Sequence, residues 1–434
     1  MSTNRFINNA SWLIFGQFAR MIVSFFVGVV SARYLGTANL GTINYIASYI
    51  SFFTSIIGLG LSGVIIYEFV NDSKNEGKIL GTAIFLRFIV SLISVPIFFI
   101  VIFTLDGNDK TIITVAFLQS LQLPFLCFDT INYWYQYKSN SKYAVIAQIF
   151  AYFVSAVYKV FLLVTGKSVE WFAFSASLDY IILALFYVLL YNKHKIQKLG
   201  VSKFVAKRLL KICVPFVLSD VMVFIYGQLD RIMIKQMLDS TSEVGLYSAA
   251  LTICTIISFI PKAFLDSSRP LIAEAKLNDE ELYRLRFTQL VCVIIWISFI
   301  YSAFVTVFSK FIVYIMYGEE YMGAVTCLKI AVWYTAFSYL GSARNFWLIC
   351  ENKKKYVFIF SAFGAVANII LNLVLIPVWG INGAAFATFL TQFLANFVIP
   401  FFVKDTREYG RCVVDALVFR NVKINELSNL IKRK

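Results

Sequence analysis

A single histidine, His194, serves the whole of this 434-residue chain. One histidine in a basic loop cannot serve a Ser-His-Asp set. Charge is scarce as well: 15% of residues are Asp, Glu, Lys or Arg, against roughly 25% in a soluble domain. There is no H-E-x-x-H and no G-x-x-x-x-G-K-[ST], so zinc-dependent and nucleotide-dependent hydrolysis have no motif to stand on. The seven cysteines are an odd number without a C-x-x-C pair. Cys127, Cys254, Cys292 and Cys327 fall within or at the ends of apolar runs, where cysteine is a small apolar filler. No disulfide, metal or other cofactor is assigned, and no enzyme is expected.

What the chain has is apolar surface. Hydrophobic residues make up 59% of it and aromatic residues 17%. Runs of 18 or more apolar residues recur, each able to cross a ~30 Å hydrocarbon core as a helix. About twelve spans are predicted: 11–32, 43–66, 79–104, 111–133, 143–165, 169–191, 209–233, 244–266, 287–316, 325–349, 356–377 and 381–403. The ~10-residue alternation of a β-barrel is absent. The first run is too long for a signal-peptide core and no A-x-A-like site follows it, so it is read as a span. Only short connectors and a tail from 404 onward remain outside, which leaves no soluble catalytic domain. The chain reads as an all-α membrane protein.

The net charge of +15 would suggest nucleic acid as the partner of a soluble protein. Its distribution argues for topology instead. Lys and Arg crowd the segments on one side, above all 192–208 (Lys193, Lys195, Lys198, Lys203, Lys207, Arg208) and the tail. The opposite loops hold only Arg33, Lys110, Lys167, Lys235 and Lys310. The positive-inside rule then places both termini in the cytoplasm, with contact to anionic lipid as a secondary benefit. His194 is expected to be solvated in the 192–208 loop.

The chain also repeats itself. Asn132, Trp134, Lys142 and Tyr143 recur as Asn345, Trp347, Lys355 and Tyr356, each pair 213 residues apart, and Gly166 matches Gly380 at 214. Six predicted spans separate corresponding elements, and an even number preserves direction. The halves are therefore expected to be parallel repeats: 1–191, then a basic linker 192–208, then 209–403, then the tail 404–434. Paired membrane modules are commonly transporters with the substrate path at the seam. Gly58-Leu59-Gly60-Leu61-Ser62-Gly63 fits a dinucleotide-binding pattern, but it lies inside an apolar span. There glycines allow close helix contact or bending.

Ionisable residues inside spans carry the remaining signal, because each costs ~2.5–3.5 kcal/mol at mid-helix even on the lenient insertion scale. The basic ones are Arg20, Arg87, Lys159, Arg231, Lys262, Lys329 and Arg344; the deep acidic ones are Asp179 and Asp220. Lys329 and Arg344 lie near span ends and are expected to snorkel. Arg87 and Lys159 are deeper and suited to tying spans together. Arg20 and Asp220 sit at similar depth in the first and seventh spans. Either they face each other as a coupled pair, or each is satisfied separately.

Several motifs add to this. They are Arg33-Tyr34-Leu35-Gly36 followed by Gly41; Gln228-Leu229-Asp230-Arg231; Val244-Gly245-Leu246-Tyr247-Ser248-Ala249-Ala250; and Pro377-x-x-Gly380-x-x-Gly383-Ala384-Ala385. With them, the whole sequence resembles the polysaccharide-biosynthesis flippases of the MOP superfamily, the Wzx-like transporters of O-antigen and capsule repeat units. The resemblance implies two six-helix lobes in a V around a central cavity. It implies an undecaprenyl-pyrophosphate-linked oligosaccharide moved from the inner to the outer leaflet of a bacterial inner membrane, with a polysaccharide polymerase among the partners. It places Arg20, Arg231 and Lys262 on the pyrophosphate. Family members often carry a basic residue late in the second span, where this chain has Val64-Ile65-Ile66. Asp220 and Asp230 are candidates for ion coupling or charge pairing. Tyr45, Tyr49, Tyr226 and Tyr247 suit either sugar stacking or an interfacial belt. Two other readings stand beside this one. A multidrug antiporter of the same fold would favour an acidic cavity; a membrane polymerase would need a larger outward loop than the one around Glu319 and Glu320.

Overall fold

A computed structural model describes residues 3–195, 197–420 and 422, with the side chains of 3–11, 13–15, 18, 19, 63 and 226 left aside. The tail from 423 and the side chain of Tyr226 thus lie outside the described residues. The described residues are almost entirely helical and contain no strand. They form two compact units, Met1–Phe224 and Ile225–Lys434.

The first unit holds α1 (Thr3–Gly58), α2 (Ile65–Asn71), α3 (Glu76–Asp106), α4 (Lys110–Ser120), α5 (Thr130–Tyr137), α6 (Ser141–Thr165), α7 (Val169–His194) and the beginning of α8 (Lys203–Leu238). The second holds the remainder of α8, then α9 (Thr241–Thr255), α10 (Phe259–Asn278), α11 (Glu280–Tyr317), α12 (Ala324–Ala331), α13 (Tyr334–Cys350), α14 (Lys355–Trp379), α15 (Ile381–Phe393), a π-helical stretch (Leu394–Val398), α16 (Ile399–Phe402) and α17 (Arg407–Leu417).

The helices are built for lipid. On α3, Phe85, Phe88, Ile89, Leu92, Ile93, Ile97, Ile100 and Phe103 are exposed, whereas Gly81, Ala83, Ser91 and Ser94 are buried. Small residues inward and large apolar residues outward is the packing of a membrane bundle, where backbones approach closely and side chains meet acyl chains. Polar starts are capped locally. Asp109 accepts from Thr111 N and Ile112 N at the head of α4, and Asp279 accepts from Leu282 N at the head of α11.

Nine described helices are long and apolar enough to span, or ten with the 49° bent pair Lys203–Ile225 and Gly227–Leu238 as one. The difference from twelve has two physical sources. The 39-residue stretch Arg20–Gly58 is nearly twice the length a ~30 Å core needs. Gly36 (φ 73°, ψ 174°) is not helical and divides the stretch into two helices, which correspond to the first two predicted spans. The tenth predicted span is divided into α12 and α13, each short by itself.

The internal repeat is visible in local geometry. Ser139 and Asn352, 213 residues apart, share a left-handed backbone at φ 54° and 56°. Asn140 N donates to Tyr135 O at 2.9 Å, and Lys353 N donates to Leu348 O at 2.8 Å. Trp134 and Trp347 are both buried beneath these turns. Gly166 and Gly380 end α6 and α14 with φ of 65° and 57°.

His194 ends α7 half-buried, its Nδ1 3.0 Å from the Tyr135 hydroxyl and its ring against Tyr143. It is not the solvated loop residue expected, because two tyrosines of the adjoining turn receive it. The segment 197–202 is also held. Gly200 N donates to Gly77 O at 3.2 Å, Gly77 N donates to Gln197 Oε1 at 3.1 Å, and Ser202 N donates to Thr82 Oγ1 at 3.0 Å.

Candidate functional site

Within the first unit, the deep charges gather where α1, α6 and α7 pack together. The Arg20 guanidinium reaches Asp179 of α7 at 3.5 Å and lies over the Tyr152 ring at 5.3 Å. Its side chain is nevertheless 47% exposed. Among the described residues, one hydrogen bond at the outer limit of length leaves most of the five guanidinium donors without a hydrogen-bond partner. Lys159 on α6 is within electrostatic reach of both Asp179 and Arg20. Asp129 is within reach of Arg20 and Arg87.

Arg87 is 5% exposed; its Nε donates to Ile57 O at 3.1 Å and its Nη1 to Thr130 Oγ1 at 2.8 Å. It caps a carbonyl at the end of α1, where the chain breaks through Leu59 (φ 52°) and Gly60 (φ 60°). A Cβ on Gly60 would lie 2.3 Å from Phe216 Cβ of α8. The glycine-rich motif is thus a helix break with a close contact, and Arg87 satisfies a carbonyl the break releases.

Asp220 on α8 is half-buried. Among the described residues no ion pair joins it to Arg20. Arg20 takes Asp179 instead, because α1 packs beside α6 and α7 and meets the carboxylate those helices present.

The second unit contains a closed polar network. Asp230 is 4% exposed and accepts from Tyr247 Oη at 2.6 Å, Thr388 Oγ1 at 2.7 Å and Asn372 Nδ2 at 2.6 Å. Asn372 Nδ2 also donates to Asn368 Oδ1 at 3.1 Å. Four helices, α8, α9, α14 and α15, therefore meet at one carboxylate. Asn368 Nδ2 and Asn372 Oδ1 are buried without a hydrogen-bond partner. Arg231, next in sequence, turns elsewhere: its Nε donates to Ser248 Oγ at 2.9 Å and its Nη1 to Gln228 Oε1. Lys262 is exposed on α10, so the second unit does not bring Arg231 and Lys262 together by any described contact.

Sequence reasoning missed the partners of Asp230. Asn368 and Asn372, spaced i, i+4 in an otherwise apolar run, were the available signal. The tyrosines also differ from expectation. Tyr45 and Tyr247 are buried and donate to Asp106 and Asp230 at 2.6 Å, and Tyr49 is buried beside Tyr45. Their hydroxyls serve carboxylates inside the units and present no face to a sugar. Arg344 does not snorkel: it is 3% exposed and donates to Ala395 O at 2.6 Å. Lys329 is exposed. Among the described residues no three His, Cys, Asp or Glu side chains converge as metal ligands do.

Outside the bundles, two carboxylates are shifted. A hydrogen bond from Lys235 holds Asp239 below the usual carboxylate range, and one from the Tyr356 hydroxyl does the same for Asp405.

Comparison with known proteins adds to this geometry. The family model described as polysaccharide biosynthesis protein matches residues 6–276, and the MatE model matches residues 215–374. No curated protein matches. Among solved structures, the chain is similar to the lipid II flippase MurJ in an inward closed conformation, with TM-score 0.73, 16% identity, and coverage of 96% of this chain and 95% of that one. It is also similar to an inward-facing multidrug resistance MATE family transporter of the MOP superfamily, with TM-score 0.64, 13% identity, and coverage of 94% and 96%. A third is a MOP superfamily transporter from Pyrococcus furiosus, described as having a binding pocket of reversed polarity, with TM-score 0.63, 12% identity, and coverage of 97% and 96%. At such identities these three establish the fold. With the family model covering more than half of its length, the chain belongs to the polysaccharide biosynthesis protein family and has the all-helical fold of MOP superfamily transporters.

Proposed function

We propose that this protein is a flippase that moves a lipid-linked oligosaccharide, with a diphosphate between lipid and sugar, across a bacterial inner membrane by alternating access. The observation that carries the reading is Arg20, a half-exposed guanidinium at membrane depth held by one 3.5 Å contact. Burying an unpaired charge in hydrocarbon is strongly unfavourable, so a diphosphate needs a polar path. Arginine supplies planar paired donors for phosphate oxygens at low hydration cost. Lys159 lies within electrostatic reach of it, and Arg231 and Lys262 are the further candidates for phosphate contact. The lipid tail stays in the bilayer.

In this reading the lobes are 1–191 and 209–403, joined by the basic linker 192–208, and both termini are cytoplasmic. The pathway partner is a polysaccharide polymerase. Coupling to an ion gradient rests on Asp230. Its carboxylate, two hydroxyl oxygens and two amide oxygens are hard donors that suit a small cation, and the unpartnered Asn372 Oδ1 is an oxygen free to join them. Asp220 is the second candidate for coupling.

Purified protein in vesicles loaded on one side with undecaprenyl-diphosphate-linked oligosaccharide tests the reading. Wild type is expected to equilibrate the lipid and Arg20→Ala to slow it at least about tenfold, a loss of ~1.4 kcal/mol. In cells, loss of the protein should leave lipid-linked units on the cytoplasmic face. Flipping that is indifferent to Arg20→Ala, or transport of cationic dyes in its place, would sink it.

A further inference from the structure

The second unit contains a polar cavity that the reading above does not use. It lies among α13, α14, α15 and the π-helical stretch Leu394–Val398, and is lined by Ser338, Ser342, Arg344, Ser361, Thr391 and Gln392 among others. Its volume is ≈ 90 Å³, room for about three waters at ~30 Å³ each.

Several observations mark this cavity as built. The π-helical stretch displaces the ladder of hydrogen bonds and frees Ala395 O, which Arg344 Nη1 takes at 2.6 Å; π-bulges in helices are frequent at functional sites. The guanidinium is further fixed by Asn345 Oδ1, 2.9 Å from Nη2, and by the Phe360 ring at 4.7 Å. Gly341 keeps the wall thin, since a Cβ there would lie 2.6 Å from Asn396 Oδ1. Thr391, 2% exposed, lines the cavity, and its buried hydroxyl has no hydrogen-bond partner in the protein. A buried orphan hydroxyl calls for an occupant. Ser338 and Ser361 add hydroxyl donors, Ser342 Oγ donates to Ser338 O at 3.4 Å, and none of the lining residues is acidic.

We propose that this cavity binds one phosphate-type anion, with Arg344 as the fixed cation and the hydroxyls of Thr391, Ser338, Ser342 and Ser361 as donors to its oxygens. Hydroxyl donors around a guanidinium match a tetrahedral oxyanion better than they match a cation or a sugar. The phosphate belongs either to the headgroup of an anionic phospholipid or to free inorganic phosphate. None of the lining residues is one that the proposed flippase reading uses.

Two probes distinguish the sources. Full-length protein purified from vesicles of phosphatidylglycerol and phosphatidylcholine is weighed by native mass spectrometry for retained lipid. Inorganic phosphate is titrated against the same protein and read as a thermal shift. Retention of one phosphatidylglycerol in preference to phosphatidylcholine supports the lipid source; a saturable shift with phosphate alone supports the free ion. In either case Ser361→Leu, which fills the cavity from α14, and Thr391→Val, which removes only the orphan hydroxyl, should each weaken binding about tenfold while the unliganded melting temperature stays. Arg344→Gln should abolish it, but it also uncaps Ala395, so the other two variants decide. Binding by neither probe, or binding that Ser361→Leu and Thr391→Val leave intact, means water alone fills the cavity and overturns the proposal.

Discussion

At the scale of single residues, the deep charges differ in how many partners hold them. Arg87, Asp230 and Arg344 each have two or more described hydrogen-bond partners, whereas Arg20 has one described hydrogen bond, at 3.5 Å, beside the Tyr152 ring. This predicts different behaviour on substitution. Arg20→Lys keeps the charge but loses the paired donors, so flipping should fall about tenfold. Asp179→Asn removes the 3.5 Å ion pair and the carboxylate near Lys159 but leaves the Arg20 guanidinium in place, and should change flipping by less than about threefold. An equal collapse in both variants would make Asp179 an indispensable partner, against this assignment. Asp230→Asn should instead act on stability, by about 1–3 kcal/mol, because three donors lose a charged acceptor. A sodium-dependent thermal shift in wild type that vanishes in Asp230→Asn would support the coupling role; an unchanged melting curve without sodium would contradict the network. Depth along a span was legible in the sequence, and it singled out Arg20. The identity of its carboxylate was not, since Asp179 and Asp220 are both deep and only the packing of α7 near α1 selects between them.

At the scale of elements, glycine placement fixes how segments meet. A Cβ on Gly77 would lie 2.4 Å from Lys198 O, and one on Gly81 2.5 Å from Gly200 O. Gly77→Ala and Gly81→Ala should therefore push the 197–202 segment off α3, destabilising by about 1–3 kcal/mol. Trypsin cleavage at Lys198 should accelerate accordingly. Gly28→Ala is the control: no atom lies within 4 Å of its added Cβ, and an exposed helical glycine gains from alanine. Faster cleavage in the control would mean that the effect is not local contact. A second element is the head of α17, where Tyr356 donates to Asp405 at 2.6 Å. Its carboxyl is held below the usual range, chiefly by that hydrogen bond, so the contribution is complete above the unfolded value of ~3.9 and fades as the pH falls through the lower folded one. Hydrogen exchange in α17 should respond equally to Asp405→Asn at pH 5 and pH 8; a difference between those two pH values would refute the assignment. The repeated turns at Ser139 and Asn352 were readable from the spacing of Asn, Trp, Lys and Tyr markers. The division of α12 from α13 was not, because the break at 332–333 falls among apolar residues with no glycine or proline to mark it.

At the scale of the whole molecule, the open quantity is the number of crossings, and it can be read as parity. Asn140 and Lys354 flank the turns related by the repeat, and both are exposed. Between them lie α6, α7, α8, the pair α9 and α10, α11, and the divided segment α12 and α13. Five of these are long enough to cross when the bent α8 is taken as one. The sixth crosses only if α12 and α13 act together through the break at 332–333. Six crossings return the chain to its starting side, as parallel repeats require; five leave it on the other. Impermeant maleimide labelling of Asn140→Cys, Lys354→Cys, Lys167→Cys and Glu319→Cys in intact cells and inverted vesicles settles the parity. Background is low, because six of the seven native cysteines are buried and Cys350 is half-buried. The first pair should label only in inverted vesicles, on the side the clustered Lys and Arg assign to the cytoplasm, and the second pair only in intact cells. If Lys354→Cys labels together with Glu319→Cys, then α12 and α13 do not cross and the halves are not parallel. Every argument that matches a residue of one half with its counterpart in the other would then fail, while the contacts described within each unit would stand.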